Sequence, residues 1–383
     1  ERHARLIHHL AAEVRRRKND PPTSRPPPRI LLVVDGLTAL RAAWGETDPD
    51  GLFDRLVHLA AEGPAVGVHL ALSADRPGAV PAAILGATRQ RLALRLGDRA
   101  DHGALGIAPS AVPDLPPGRG LLAEAAVVVQ VARAHPDLAR AVVGVADQSE
   151  GPPPHRRPAT FGVLPDDLST TSVAAAARPV VRAGLWRIPL GLADEDLAPA
   201  HLLLHPGEHA LIAGPGRSGR TTALCSIAQA VGGHPAGVLV VAVADGRSPL
   251  RSAAGVVLAF PPHEVASRID RLRRHPGPVV VLVDDAERLD DAPMADLVTD
   301  AGPDLHVVAA GRADALRHAF GHWTQHVRAA RTGVLLQPDL DLDGDLLGCR
   351  LPRRMPRGPA PGRGWLVTNG SAELIQVARP PAG

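Results

Sequence analysis

The segment that most constrains the fold of this chain covers residues 210–230. It opens with the apolar run ALIA, passes through the glycine-rich stretch GPGRSGRTT, and ends in ALCSIAQA, which is typical of a helix. A strand that leads into a glycine-rich loop and then into a helix is the context of a phosphate-binding loop, in which backbone N–H groups and the helix N-terminus face phosphate oxygens. The segment therefore predicts an α/β domain with a nucleotide-binding loop.

The loop matches the pattern GxxxxGK[ST] except at the lysine position, which is occupied by Arg220. Thr221 supplies the hydroxyl group that such loops use for Mg²⁺. Arginine keeps the positive charge, but its planar guanidinium differs from the compact ammonium group that lysine places against the β- and γ-phosphates. The sequence leaves open whether the loop binds and hydrolyses ATP or only shapes the strand-to-helix turn. The predicted nucleotide-binding residues are Gly214, Pro215, Gly216, Arg217, Ser218, Gly219, Arg220, Thr221 and Thr222.

A second motif follows the apolar run at residues 279–283, which leads into Asp284, Asp285 and, after one alanine, Glu287. This is the pattern of a Walker B strand, in which the first aspartate orients Mg²⁺ and a following acid polarises the attacking water. Asp284 and Thr221 are therefore the predicted metal-binding residues, and Asp285 or Glu287 is the predicted catalytic base. In the alternative interpretation, these acids cap the next helix.

Two further features each allow two interpretations. Arg312 follows the apolar run at residues 305–310, so it either contacts the γ-phosphate as a catalytic residue or caps its own loop. His318 and His322 stand four residues apart, as in a metal-binding helix. Because no third ligand lies nearby in the sequence, a solvated helix surface is the favoured interpretation of this histidine pair.

Strand-like and helix-like runs alternate in both halves of the chain, which predicts α/β architecture with two domains. We expect residues 1–143 to form the C-terminal part of a first domain, residues 144–184 a linker, and residues 185–383 a second domain. The linker contains the Pro/His/Arg cluster at residues 151–158 and shows no sustained hydrophobic periodicity. The predicted elements are a helix at residues 2–18, strands at 30–34, 68–72 and 91–96, a helix at 53–62, and strands at 210–213, 238–244, 279–283, 305–310 and 333–336.

Two pairs of segments resemble each other and indicate a tandem duplication. PPGRGLL at residues 116–122 and VVVQVA at 127–132 correspond to PGRGWL at 361–366 and ELIQVA at 373–378. We expect each pair to form a β-hairpin that closes its domain.

Composition limits the possible functions. The formal net charge of the chain is only +2, which is too small to indicate nucleic-acid binding through bulk charge. Its two cysteines, Cys225 and Cys349, lie far apart and indicate structural thiols rather than a disulfide framework or a metal site. The longest apolar runs fall far short of the roughly 20 residues of a membrane-spanning helix. Because the chain starts at Glu1 within a helix-like run, we expect it to be part of a longer protein.

These motifs, in this order, resemble the FtsK/SpoIIIE family of P-loop ATPases, and in particular the C-terminal tandem ATPase domains of the type VII secretion ATPase EccC. Tandem FtsK-like domains of actinobacterial proteins with FHA modules are also similar. Besides the phosphate loop and the acidic strand, the segments that carry the resemblance lie at residues 35–40, 67–77, 89–98, 188–199, 339–348 and 361–364.

The resemblance implies tandem RecA-like P-loop NTPase domains with mostly parallel sheets flanked by helices, the first domain being truncated at its N-terminus. It implies ATP and Mg²⁺ as ligands, a ring or chain-like homo-oligomer, and a cytoplasmic location with a membrane tether upstream of this chain. Departures from the family pattern are Arg220, the Gly36 that follows Asp35 in place of a second acid, and a shortened stretch between Gly246 and Pro278.

Three functions are compatible with these features. The first is the regulatory and substrate-recruiting end of a secretion ATPase, which acts on a secreted protein. The second is a DNA-translocating motor, which would require an intact P-loop lysine, a complete acid pair and a basic pore. The third is a signalling ATPase, which would leave the paired closing hairpins unexplained. The degenerate motifs favour the first function.

Overall fold

The computed structural model describes residues 2–20, 27–44, 51–125, 127–132, 137, 161–182, 184–289, 291–352 and 360–381. The chain divides into two units, Glu1–Phe161 and Gly162–Gly383. In the described residues, no helix is both long and apolar enough to span a membrane.

Helices and short strands alternate along the first unit, as the hydrophobic pattern predicts. Its helices are α1 (Arg2–Asn19), α2 (Leu37–Trp44), α3 (Leu52–Glu62) and α4 (Ala82–Ala87), and its strands are β1 (Ile30–Val34), β2 (Val68–Leu72), β3 (Leu92–Ala93), β4 (Arg119–Leu122) and β5 (Val127–Gln130).

The core of the first unit forms around α1, whose apolar residues recur every three or four positions. Ile7, Leu10 and Val14 of this helix are buried in one cluster with residues of α3, β1 and β2. This confirms the predicted helix at residues 2–18. Strands β1 and β2 pair in parallel, with Ile30 opposite Val68.

The strands of the first unit differ from the prediction in two respects. The apolar run of β1 is typical of a strand buried on both faces, but Leu31 and Val33 are 61% and 67% exposed because only the opposite face contacts the core. The third predicted strand, at residues 91–96, contracts to Leu92–Ala93. It pairs antiparallel with β4 in a separate three-stranded sheet, so the described part of this unit is not mostly parallel.

The second unit contains a large mixed sheet. Its strands are β6 (Val180–Arg182), β7 (Leu185–Ala193), β8 (Pro199–Leu204), β9 (Ala210–Gly214), β10 (Leu239–Val243), β11 (Leu258–Phe260), β12 (Val279–Val283), β13 (Leu305–Arg312), β14 (Gly333–Leu336), β15 (Arg363–Thr368) and β16 (Ser371–Val377). Its helices are α5 (Thr170–Ala176), α6 (Arg220–Val231), α7 (Val265–Arg273), α8 (Asp291–Thr299), α9 (Ala313–His318) and α10 (Thr324–Arg328).

The strand order is β11-β10-β12-β13-β9-β14-β15-β16-β7-β6, with β8 also paired to β7. The first six strands of this order, β11, β10, β12, β13, β9 and β14, are mutually parallel. The remaining pairs are antiparallel. Alternate residues of β12 point into different cores: Val281 belongs to one buried cluster and Val280 to the other. A strand buried on both faces reads as a continuous apolar run, which is why the pattern predicted the parallel strands β9, β10, β12, β13 and β14.

The interdomain boundary differs from the predicted linker at residues 144–184. Residues 162–182 belong to the second unit, where Leu164 is fully buried in the core and β6 pairs with β7. These elements are too short to show periodicity in the sequence, so the prediction missed them. The Pro/His/Arg cluster at residues 151–158 lies outside the described residues.

Both predicted closing hairpins are confirmed, as β4–β5 and β15–β16. The turns that precede β4 and β15 also share detailed geometry. Gly118 and Gly362 have φ angles of 81° and 79°, which favour glycine. Gln130 and Gln376 each donate a side-chain hydrogen bond to the carbonyl of the proline before that glycine, at 3.4 and 2.8 Å. The structure thus supports the internal duplication.

Candidate nucleotide-binding site

The glycine-rich loop connects β9 to α6, as predicted, and its backbone requires small residues. Gly219 precedes the helix with a φ of 105°, which L-residues with side chains rarely adopt. A Cβ atom on Gly214 would lie 2.5 Å from the carbonyl oxygen of Leu336. These two constraints explain why glycines stand at both ends of the loop.

The metal-binding residues predicted from the sequence lie together. The hydroxyl of Thr221 donates to the carboxylate of Asp284, 3.1 Å from each carboxylate oxygen. Asp284 follows β12, which is separated from the loop strand β9 by β13. Its side chain is buried and also accepts a 2.7 Å hydrogen bond from the hydroxyl of Ser248. The contact of Ser248 with Asp284 was not predicted. Ser248 follows β10, and only the pairing of β10 with β12 brings it close to Asp284.

This donor set fits Mg²⁺, which prefers hydroxyl and carboxylate oxygens and completes its shell with water and phosphate oxygens. Among the described residues, no group of three or more His, Cys, Asp or Glu side chains is placed to hold a metal by itself. A metal at Thr221 and Asp284 would therefore depend on the phosphates of a bound nucleotide. Thr221 and Asp284 are the residues that would hold it.

Arg220 folds back onto the loop that it follows. Its Nη1 atom donates to the carbonyl oxygens of Gly214 at 2.6 Å and Pro215 at 2.7 Å. Its Nη2 atom lies 3.4 Å from a carboxylate oxygen of Asp285, and the side chain is only 12% exposed. The guanidinium thus joins the start of the loop to the acid that follows Asp284.

The two candidate bases occupy different environments. Asp285 has a φ of 47° and is paired with Arg220 and, at 4.0 Å, with Arg288. The Oε2 atom of Glu287 is buried without a hydrogen-bond partner among the described residues. It packs against Gly311 at the end of β13, where a Cβ atom would lie 2.6 Å from it. Of the two acids, only Glu287 has a carboxylate oxygen that is not already engaged by a cation.

The Arg312 side chain is held by its own loop. It donates two hydrogen bonds, of 3.1 and 2.7 Å, to the carboxylate of Asp314 and is 56% exposed. The hydrogen bond from Arg312 lowers the pKa of Asp314 to about 2. Arg312 thus contacts its own loop, and the predicted contact with a γ-phosphate stays a prediction.

The closing hairpin β15–β16 is hydrogen-bonded to the phosphate loop. The backbone N–H of Gly362 donates to the carbonyl of Ser218 at 2.9 Å. The next residue, Arg363, is 1% exposed and donates to Gln376 at 2.8 Å, to the carbonyl of Pro165 at 2.9 Å and to Asp166 at 3.0 Å. The recurring PGRG segment therefore connects the loop to the start of the second unit, a role that its repetition alone did not reveal.

The remaining candidate residues have structural surroundings. Cys225 and Cys349 are free and buried, as predicted, and burial raises the pKa of the Cys225 thiol to about 11. His318 contacts the carbonyl of Asp314, and His322 contacts the carbonyl of Leu289. Neither histidine belongs to a metal-binding group in the described part of the chain.

Comparison with known proteins relates the chain to secretion ATPases. No family model matches it. It is 30% identical over 390 residues to the ESX-4 secretion system protein EccC4 of Mycobacterium tuberculosis, which covers 92% of this chain and 30% of that protein. It is 26% identical over 398 residues to the ESX secretion system protein EccC of Thermomonospora curvata, with 91% and 29% coverage. The chain thus spans about 30% of the length of these curated relatives.

Solved structures show the same fold over nearly the whole chain. EssC (ATPases 2 and 3) from Geobacillus thermodenitrificans superposes with a TM-score of 0.73 at 18% identity, covering 99% of this chain and 79% of that one. Thermomonospora curvata EccC (ATPases 2 and 3) in complex with a signal sequence peptide superposes with a TM-score of 0.58 at 21% identity, covering 97% and 72%. The chain is therefore related to the EccC proteins over nine tenths of its length and has the fold of tandem P-loop ATPase domains of the FtsK/SpoIIIE type.

Proposed function

We propose that the second unit binds Mg·ATP and works as a regulatory, substrate-recruiting part of a secretion ATPase rather than as a fast motor. The observation that carries this proposal is the pairing of the Thr221 hydroxyl with the Asp284 carboxylate at 3.1 Å, directly behind a glycine-rich loop whose lysine is replaced by Arg220. The hydroxyl of Thr221 and the carboxylate of Asp284 provide oxygen ligands of the kind that Mg²⁺ binds. Arg220 lacks the compact ammonium group with which lysine accelerates phosphoryl transfer.

In this proposal, the loop from Gly214 to Thr222 surrounds the phosphates with backbone N–H groups. Mg²⁺ supplies charge neutralisation when it is bound with the nucleotide. Ser248 holds one carboxylate oxygen of Asp284 and so fixes the orientation of that side chain. Glu287 is the better of the two candidate bases, because its Oε2 atom is not engaged by another described residue.

The partners follow from the relatives. One structure of Thermomonospora curvata EccC contains a signal sequence peptide, so we extend to this chain a secreted protein that carries such a peptide. Further subunits of a ring or chain-like oligomer, a cytoplasmic location and a membrane tether elsewhere in the protein belong to the same proposal. No feature of the described residues favours DNA translocation, since the net charge is +2 and the lysine is absent.

Calorimetric titration of the 383-residue chain with Mg·ATP tests the proposal. We expect a dissociation constant in the micromolar range, roughly −8 kcal/mol of binding free energy. Thr221→Ala is expected to weaken binding at least about tenfold, because it removes a ligand of the metal and a hydrogen bond to a charged group. Arg220→Lys is expected to raise phosphate release, because it restores the compact charge.

The matched controls are Thr299→Ala and Arg274→Lys, which change exposed residues of the same unit outside the site. Both should bind and hydrolyse as the parent chain does. If the parent chain binds no nucleotide even at millimolar ATP, the loop is only a structural turn and the proposal is wrong.

A further inference from the structure

We propose that Asp285 inhibits the site that it borders: together with the carbonyl groups of Gly214 and Pro215, it holds the guanidinium of Arg220 away from the nucleotide phosphates. We call this set of contacts the Arg220 latch. ATP then binds only when phosphate oxygens replace the contacts of the latch. This inference rests on the proposed nucleotide binding and assigns to Asp285 a role other than that of a catalytic base.

The evidence for the latch is that most N–H groups of Arg220 already donate to or face acceptors in the protein. A guanidinium has five N–H groups in a fixed plane. Nη1 uses its two on Gly214 and Pro215, at 2.6 and 2.7 Å, and Nη2 faces Asp285 at 3.4 Å. The Nε–H is buried without a partner among the described residues. The side chain can therefore donate to a phosphate through Nη1 only by giving up contacts to its own loop.

Burial makes these contacts stronger than those of a surface ion pair. The Arg220 side chain is 12% exposed, so its hydrogen bonds act in a medium of lower dielectric constant than water. Asp285 is 42% exposed and lies at the mouth of the site. A lysine at position 220 would be a single rotatable ammonium without the planar fork that reaches both the carbonyls and the acid. The latch is thus specific to the arginine.

The charges around Asp285 show what its neutralisation would change. Arg288 lies 4.0 Å from its carboxylate, and Arg288 also lies 3.9 Å from Asp245 at the end of the neighbouring strand β10. The charge of Asp285 also contributes to raising the pKa of Arg312, after the larger effects of Asp314 and Glu287. Removing the charge of Asp285 therefore lowers the negative charge near the phosphate loop and also removes one of the contacts that hold Arg220. Removing the charge of Asp245 does only the former.

This difference supplies the experiment. Asp285→Asn suits the site because asparagine, like aspartate, tolerates the left-handed backbone conformation found here, with a φ of 47°. We expect titration calorimetry of the full chain to show that Asp285→Asn binds Mg·ATP about fivefold to tenfold more tightly than the parent chain. Asp245→Asn removes the same charge at the same edge without touching Arg220, and it should change affinity less than about twofold.

A double-mutant comparison tests the latch directly. In an Arg220→Ala background, Asp285→Asn should give no gain in affinity, because its target is gone. Thermal melts followed by circular dichroism establish that each variant is folded. If the parent chain binds Mg·ATP and Asp285→Asn binds with equal affinity but releases phosphate more slowly, Asp285 is a base and the latch is wrong. If neither chain binds any nucleotide, the proposed function itself fails, which is a different result.

Discussion

Replacement of Arg363 by methionine is expected to lower the free energy of unfolding of the second unit by about 2 to 4 kcal/mol, because it leaves two acceptors without their donor at a cost of about 1 to 3 kcal/mol each. The Arg363 side chain is 1% exposed, and its N–H groups donate hydrogen bonds to the amide oxygen of Gln376, the carbonyl of Pro165 and the carboxylate of Asp166. Methionine fills much of the volume but donates nothing. The partly buried carbonyl of Pro165 and the buried amide oxygen of Gln376 would then lose their donor, which is the costly step.

Urea unfolding followed by tryptophan fluorescence measures this effect. The chain has four tryptophans, and only Trp44 lies in the first unit. In a Trp44→Phe background the signal therefore reports the second unit alone. Arg379→Met is the matched control, because Arg379 forms a two-pronged contact with Asp167 in the same segment but is 53% exposed. It should lose much less stability than Arg363→Met, because exposed ion pairs contribute little. Equal losses in the two variants would show that burial of Arg363 contributes nothing.

Arg363 also shows where sequence reasoning ends. The repeat of PGRG and the two hairpins were predictable, because a glycine-containing turn followed by short apolar runs is a local signal. The contact of Arg363 with the carbonyl of Pro165 joins residues that lie 198 positions apart. No local pattern encodes such a contact. The segment that contains Pro165 was accordingly assigned to a linker, although it belongs to the second unit.

The central parallel strands of the second unit were predicted for a physical reason, whereas β6, β7, β8 and β11 were not predicted. Each central parallel strand is buried on both faces, so its sequence is an uninterrupted apolar run. The run at residues 279–283 coincides with β12 (Val279–Val283), and the run at 333–336 coincides with β14 (Gly333–Leu336). In the first unit, β1 is buried on one face only, and the apolar residues Leu31 and Val33 on its other face made it look doubly buried.

The sequence predicts which residues belong to the candidate site, but not how their side chains contact one another. The sequence placed Thr221 and Asp284 together, since both belong to motifs with known roles, and the structure brings them to 3.1 Å. It did not predict that Arg220 would contact Asp285. That contact depends on β12, which precedes Asp285, and β9, which precedes the loop, lying on either side of β13. The sequence also left two interpretations of Arg312, and its contact with Asp314 is seen only in the structure.

Acidification is expected to destabilise the second unit through His209, which is buried and neutral. Its Nδ1 accepts a 3.0 Å hydrogen bond from the backbone N–H of Val307, and its Nε2 lies 3.0 Å from the carbonyl of Val298. A proton on Nδ1 would face the N–H of Val307. Burial lowers the pKa of His209 to about 4, with a smaller lowering from His306.

The sign of the effect follows from the two pKa values. His209 titrates at about 4 in the folded state and near 6.5 when unfolded, so the unfolded state binds more protons between these values. Its contribution to stability is therefore fully present above about pH 7 and is lost as the pH falls through 6.5 toward 4. The shift corresponds to about 3 kcal/mol in total, of which about 2 kcal/mol are lost by pH 5.

His209→Asn isolates this contribution, because the amide oxygen of asparagine can accept the bond from Val307 but does not titrate. Urea unfolding at pH 8, 6.5 and 5, again in the Trp44→Phe background, should give a parent chain that loses stability on acidification and a variant that loses about 2 kcal/mol less. The variant is expected to be less stable at pH 8, since Val298 has lost its donor, so the slope with pH is the informative quantity. His263→Asn changes an exposed histidine of the same unit and should keep the slope of the parent chain. A His209→Asn chain with an unchanged slope would show that acid destabilisation arises elsewhere, for example at His306, whose pKa burial also lowers.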